Sequence, residues 1–331
     1  MDLFQLTKNL VNMASVTGHE KTCGEYLKGY LSELGFKAEL MPVSRDRSNV
    51  FATWGKPDVV LSTHMDTVPP FFPAHEDADH IYGRGSCDAK GILAAQVTAA
   101  ERLKNDGVKD IGLLFLVGEE TVSDGAREAN LHPQGTRFII NGEPTENKLV
   151  IGSKGNLRFD IRARGKMAHS AYPQLGVNAI EKLLDVLEEI RKIELPVNPV
   201  MGPCTMNIGV LTAGRAANVV PDEAVAQILI RMVENSDSLR EKIKQIIGDR
   251  CEFVLIRETP VLLMEKLDGY ETDIVAFTTD LPSLTNWGRP LLLGPGSIST
   301  AHTENESIRK SDLTAAAELY YRLVRDLKSR N

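Results

Sequence analysis

Apolar residues recur at helical spacing from the start of the chain, with Leu3, Leu6, Leu10 and Met13 on one face. Thr17 and Glu20 then form a T-x-x-E pattern, the signature of a helix capping box. The segment after it carries Cys23, Leu27, Tyr30, Leu31 and Leu34 on one side, and Gly35 supplies a helix stop. Strand-like runs follow at 36–43, 49–54 and 59–63. An Ala- and Leu-rich helix is predicted over 91–104. The unbroken apolar run 111–117 reads as a strand buried on both faces. A further strand is predicted at 137–140. This alternation indicates an α/β fold, a sheet flanked by helices on both sides.

Near residue 155 the pattern changes. Residues 157–163 alternate apolar and polar, as a strand with one wet face does. A helix is predicted over 177–193, strands over 206–211 and 224–233, a helix over 238–247 and a strand over 251–257. The order β-α-β-β-α-β is that of a ferredoxin-like α+β sandwich. From about 262 the first pattern returns and ends in a helix over 313–327. The organisation predicted is one discontinuous domain, 1–154 and 262–331, with a smaller domain, 155–261, inserted into it.

Composition narrows the function. The chain has 331 residues, enough for two domains. Its 45 acidic and 38 basic residues leave a net charge of −7, which argues against a nucleic-acid or anionic-membrane partner. Four widely spaced cysteines with no C-x-x-C pair indicate reduced thiols in a cytoplasmic protein. The first residues lack the basic and apolar regions of a signal peptide, and the apolar stretches are too short to span a bilayer. Gly83-Arg84-Gly85 lacks the remaining residues of a phosphate-binding loop, and there is no G-x-S-x-G elbow of a serine hydrolase.

Several acids and histidines fall just after predicted strands: His64 with Asp66, Asp88 before the helix at 91, the Glu119-Glu120 pair, and Glu143 in Asn141-Gly142-Glu143-Pro144. Ligands bind open α/β sheets beyond the carboxyl ends of their strands, so these residues can converge there. Facing carboxylates repel one another, and divalent cations remove that conflict. Mixed carboxylate and imidazole donors suit Zn2+, with Mn2+ or Co2+ as alternatives. Two ions sharing one bridging carboxylate need five protein ligands. His64, Asp88, Glu120, Glu143 and one further histidine meet that number. Glu119, beside a ligand yet free, is placed to take a proton from the attacking water.

Seven segments resemble the dinuclear zinc aminoacylase and carboxypeptidase family, relatives of acetylornithine deacetylase, succinyl-diaminopimelate desuccinylase and glutamate carboxypeptidase. They are S-T-H-M-D-T-V-P (62–69), Y-G-R-G-S-C-D-A-K-G (82–91), G-E-E (118–120), G-E-P-T (142–145), A-H-S-A-Y-P-Q-L-G-V-N-A-I (168–180), N-V-V-P-D-E-A (218–224) and A-H-T-E-N-E-S-I (301–308). The resemblance implies a zinc-exopeptidase-like catalytic domain with a mixed sheet flanked by helices, plus an inserted ferredoxin-like dimerisation domain. It implies two Zn2+ per subunit, one held by His64, Asp88 and Glu143 and the other by Asp88, Glu120 and His302. Asp66 would fix the tautomer of His64. Glu119 would be general base and then general acid. His169 would reach the partner subunit's site in a homodimer and hold the oxyanion. Asn218 and Arg231 would bind the substrate carboxylate or carbonyl, Arg231 through its planar fork. Gly294-Pro295-Gly296-Ser297 would face the substrate, with Gly296 and Ser297 in contact and Lys154 as a further candidate. The expected reaction is deacylation of an N-acyl amino acid, as in amino-acid biosynthesis. A dipeptidase, tripeptidase or other peptide carboxypeptidase with the same site is the chief alternative. A catalytically inactive metal-binding homologue is a third reading, against which both Glu119 and Asp88 stand. Residues 258–290 match no motif.

Overall fold

In the computed structural model, which describes residues 1–330, the apolar run at 111–116 is one strand of a four-stranded parallel core. In chain order the elements are α1 (Leu3–Val11), α2 (Lys21–Glu33), β1 (Lys37–Ser44), β2 (Arg47–Trp54), β3 (Val59–His64), β4 (His80–Tyr82), α3 (Lys90–Asn105), β5 (Ile111–Leu116), α4 (Asp124–Asn130), β6 (Phe138–Asn141) and β7 (Leu149–Ser153). Then come β8 (Gly155–Arg164), α5 (Ala179–Arg191), β9 (Thr205–Ala213), β10 (Glu223–Met232), α6 (Asp237–Ile247) and β11 (Glu252–Thr259), and finally β12 (Arg289–Leu292), β13 (Ser307–Arg309) and α7 (Lys310–Ser329). Contacts divide the chain into two compact units. The first is Met1–Ile151, Met264–Asp273 and Thr279–Asn331; the second is Gly152–Leu263 and Ile274–Thr278. The sequence assigns all of 262–331 to the first unit, so the excursion of 274–278 is a structural finding.

In the first unit the sheet order is β1-β2-β5-β3-β6-β12-β7. Strands β5, β3, β6 and β12 are parallel, with β1 and β2 antiparallel at one side and β7 antiparallel to β12 at the other. Every residue of β3, β5 and β6 is buried, as a parallel core covered on both faces requires. Helix α3 packs against α1, α7 and β3, so Leu61, Phe115 and Ile140 join one core with Ala94, Tyr320 and Val324. Strand register aligns the ends of this sheet. His64 lies opposite Leu116, Ser62 opposite Asn141, and Asn141 opposite Leu292. The carboxyl ends of all four parallel strands therefore lie on one edge of the sheet, β3 and β5 running two residues past β6 and β12, and the segments after β3, β5 and β6 leave the sheet at that edge.

The capping box is not formed. Helix α2 begins after Glu20, whose side chain makes no cap bond. The Glu20 carboxylate is buried and held by Arg47, with Nε and Nη2 at 2.9 and 2.8 Å, while Thr17 donates to Asp66. Both side chains have tertiary partners that outcompete the local pattern. The helix still stops where Gly35 takes φ +86°.

The second unit is a four-stranded antiparallel sheet of order β9-β10-β8-β11. Strand β10 alternates strictly, and its buried Ala226, Ile228 and Ile230 meet Leu183, Val186 and Ile190 of α5 and Ile243 of α6. Asn178 caps α5, its side-chain oxygen accepting from the amides of Ile180 and Glu181 at 2.9 and 3.3 Å. In β8 the expected wet face holds Arg158 and Arg162, but Asn156 and Asp160 on it are also buried. The four cysteines are free thiols, and no helix among the described residues is long and apolar enough to cross a membrane.

Two glycines test this packing in opposite directions. A Cβ on Gly91 would stand 2.3 Å from the backbone oxygen of Ser86, whereas one on Gly29, exposed on α2, meets nothing within 4 Å. Gly91→Ala should lower stability by about 1–3 kcal/mol. Gly29→Ala should raise it by about 0.5–1 kcal/mol. Urea melts followed by circular dichroism check both signs.

Candidate metal centre

His64 is the last residue of β3 and is buried. Its Nδ1 lies 3.0 Å from the backbone oxygen of Asp66 and 3.5 Å from that residue's carboxylate. A proton on Nδ1 is thus shared with Asp66, which leaves the Nε2 lone pair facing outward. Nε2 is 2.9 Å from Oδ1 of Asp88. Asp88 ends the tight loop that leads into α3, and its Oδ2 is 3.4 Å from Nε2 of His302. The same His302 nitrogen is 2.9 Å from Oε2 of Glu120, on the turn after β5. Glu143 follows β6 and is buried, and its Oε1 has no hydrogen-bond partner.

These residues form two sets whose donor atoms lie within 4.8 Å of one another: His64, Asp88 and Glu143, and Asp88, Glu120 and His302. Asp88 belongs to both. The donor sets fit two divalent cations on three grounds. Each set offers three oxygen or nitrogen donors, the shared aspartate offers one oxygen to each, and the buried orphan oxygen of Glu143 needs a partner. His302 takes a left-handed φ of +62°, a costly conformation for a side chain other than glycine, and its imidazole meets Asp88 and Glu120.

Electrostatics agree with this grouping. Burial would lower the His64 pKa, but its bonds to Asp66 and Asp88 reverse that and hold it well above the usual imidazole value. His302 is pushed up to about 10, first by its bond to Asp88 and then by Glu120. Burial opposes ionisation of Asp88, yet the two imidazoles outweigh it and hold the carboxyl below the usual range. Glu119 has no such partner. Desolvation, resisted by His64 and reinforced by Asp280, Glu120 and Asp88, pushes its carboxyl well above the usual range. Glu143 is raised in the same way, by burial and then by Glu119. Glu119 lies beside both sets and belongs to neither, so its carboxylate is placed to accept and return a proton.

The remaining sequence candidates divide. Gly296 and Ser297 belong to the first unit and line a polar cavity of about 490 Å³ with His80, Glu146, Thr300 and Arg309. There the Ser297 hydroxyl donates to Glu146 at 3.0 Å. His169, Asn218 and Arg231 belong to the second unit. His169 is exposed and its Nδ1 accepts from the Ala171 amide at 3.1 Å. Asn218 is exposed on the loop before Val219, and Arg231 is half-buried on β10. Lys154, also in that unit, donates to the Pro203 carbonyl at 2.6 Å.

Two further residues support the site in roles that the sequence did not assign to them. Thr17 donates to Oδ2 of Asp66 at 2.7 Å, and the Asp66 carboxylate also accepts from the amides of Glu119 and Glu120 at 3.2 and 3.3 Å. Asp66 therefore anchors the turn that carries both glutamates. Glu306 is fully buried and accepts from the amides of Gly85, Cys87 and Asp88 at 2.9, 3.1 and 3.0 Å. The signal for Glu306 was its place four residues after His302 in the segment 301–308.

Comparison with known proteins accords with this geometry. Residues 151–253 match the family described as a peptidase dimerisation domain. A Peptidase M20 domain-containing protein of Schizosaccharomyces pombe is 40% identical over 98% of this chain and 84% of its own length. A probable carboxypeptidase of Aspergillus flavus is 36% identical over 96% of this chain and 85% of its own. Among solved structures, a tripeptidase from Staphylococcus aureus superposes with a TM-score of 0.84 at 22% identity, covering 98% of both chains.

If Thr17 serves Asp66 and not the helix, Thr17→Val should leave the helical circular dichroism signal unchanged. It should weaken Zn2+ binding by the metal-free protein roughly tenfold, as removal of an outer hydrogen-bond partner does. Calorimetric titration measures the second effect.

Proposed function

The chain belongs to the M20 peptidase family, and we propose that it cleaves the amide bond on the amino side of a residue with a free carboxylate. A short peptide, which loses its carboxy-terminal residue, is the preferred substrate, with N-acyl amino acids as the alternative of the same shape. The observation that carries the reading is the pair of three-residue sets sharing Asp88 with Glu119 beside them. The probable carboxypeptidases among the relatives favour the peptide.

Two Zn2+, with Co2+ or Mn2+ as alternatives, would when bound supply Lewis-acid activation of the carbonyl and of a water. His64, Asp88 and Glu143 would hold one, and Asp88, Glu120 and His302 the other. Glu119 takes the proton from the water as its oxygen bonds to the carbonyl carbon. It then gives that proton to the amide nitrogen as the C–N bond breaks, so one water is consumed and a free acid and a free amine leave. Asp66 holds the amide of Glu119 and so aims its carboxylate. We assign Arg231 and Asn218 to the substrate carboxylate or carbonyl and Gly296 and Ser297 to a substrate-facing loop. His169 is assigned to the oxyanion of a partner subunit's substrate within a homodimer.

Glu119→Gln should lower turnover roughly 10²–10⁴-fold while metal content stays at about two ions per chain. Turnover that survives with full metal content would refute the role of Glu119. A panel of dipeptides, tripeptides, N-acetyl amino acids and succinyl-diaminopimelate, assayed with added Zn2+, separates the substrate classes. Mixing inactive Glu119→Gln and His169→Ala chains should restore partial activity, and no recovery under proven subunit exchange would remove His169 from the reaction.

A further inference from the structure

The loop that delivers Asp88 is short and turns sharply, with Gly83 at φ +137° and Gly85 at φ +88°. Such a turn points successive amides inward, where each needs an acceptor. Glu306 supplies four of those acceptor contacts. One of its carboxylate oxygens takes the amides of Gly85, Cys87 and Asp88, and its backbone carbonyl takes that of Gly83 at 3.1 Å. Its other carboxylate oxygen accepts from Arg84 at 2.6 Å, and Arg84 is fixed in turn by the Pro70 carbonyl at 3.2 Å and the face of Phe72. Both members of the pair are buried, Arg84 at 2% and Glu306 at 0% exposure. Immediately after Glu306, β13 pairs with β4, so the whole segment is stitched to the start of the Asp88 loop.

Glu306 also lies on the segment that carries His302. One carboxylate therefore ties together the two pieces of chain, more than two hundred residues apart, that bring Asp88 and His302 to 3.4 Å. No local contact could set that distance. We propose that Glu306 is a positioning residue that fixes the spacing between Asp88 and His302, and with it the affinity of the Asp88, Glu120 and His302 set for its cation. The proposal rests on the two-cation reading of the site.

The test is titration of the metal-free protein with Co2+ alone, followed by visible absorption and by calorimetry. Wild type should take up two ions. Glu306→Ala, which removes the acceptor, should keep the first and bind the second roughly 10–100-fold more weakly, with an altered absorption band. Glu306→Asp keeps the charge beside Arg84 but cannot reach the amides, so it should show the same loss; it decides the matter if the Ala variant does not fold. Arg84→Met breaks the buried pair and should lower thermal stability, yet leave both Co2+ steps and the band in place. The proposal is overturned if Glu306→Asp binds both ions as wild type does. It is equally overturned if Arg84→Met weakens the second ion as much, since the ion pair and not the capture of the amides would then be at work. A wild type that binds no Co2+ would sink the metal reading itself, and this proposal with it.

Discussion

The structure turns on the cost of gathering carboxylates. Asp88, Glu119, Glu120 and Glu143 gather at the carboxyl ends of one parallel sheet, and Asp66 and Glu306 lie directly behind them. Two like charges 4 Å apart repel by roughly 4 kcal/mol even at an effective dielectric of 20. Such a concentration folds only if positive partners are built in, and three kinds are visible. His64 and His302 each contact Asp88, Arg84 pairs with Glu306, and backbone amides hold Asp66 and Glu306. What the protein's own atoms leave uncompensated is the strongly raised proton affinity of Glu119 and Glu143, a smaller rise at Glu306, and the orphan oxygen of Glu143.

The acids have accordingly separated into two jobs. Asp88, Glu120 and Glu143 offer oxygens outward, in the sets where cations fit. Asp66 and Glu306 offer theirs inward, to main-chain amides of the loops on which Asp88 and Glu120 sit. Burial opposes ionisation of both; at Asp66 the His64 imidazole, Thr17 and the Glu120 amide outweigh it, whereas at Glu306 the amides and Arg84 offset it in part. The loops are thereby shaped before any cation arrives, and the outward acids need little rearrangement to meet one. Gly91 belongs to the same design, since the backbone of the Asp88 loop lies where its Cβ would be.

Much of this was legible in the sequence, for physical reasons that also mark where legibility ends. The run at 111–116 could be read as a doubly buried strand because burial on both faces removes all alternation. The alternation in β10 could be read because a one-sided sheet keeps it. His64, Glu120 and Glu143 were found because each ends or follows a strand, and strand ends are where such a sheet presents residues. His302 follows no parallel strand; it sits in a loop with a left-handed backbone, so only resemblance identified it. Thr17 and Glu20 misled because a capping signature reports what side chains do when nothing better is near. Here Asp66 and Arg47 are nearer, and both are distant in sequence. Glu306 and the excursion at 274–278 share that character: their partners are set by tertiary structure and leave no periodic trace.

The net charge of −7 acquires a different meaning in this light. A count made on the chain alone treats every acid as solvated surface, whereas Asp66, Asp88, Glu119, Glu120, Glu143 and Glu306 are all drawn into one centre. Two divalent cations would bring the total to −3, and the change would fall entirely at that centre. Asp88, Glu119, Glu120 and Glu143 together carry −4 when ionised, which two divalent cations would cancel. In the proposed reaction the cations would then do two things at once, activating the scissile carbonyl and offsetting the local negative charge so that an anionic substrate can approach. The price of this arrangement is that binding and catalysis share the same charges, so any substitution that loosens a cation must weaken both together. Asp66 and Glu306, which belong to neither cation set, are accordingly buried and bonded through the loops that carry Glu120 and Asp88.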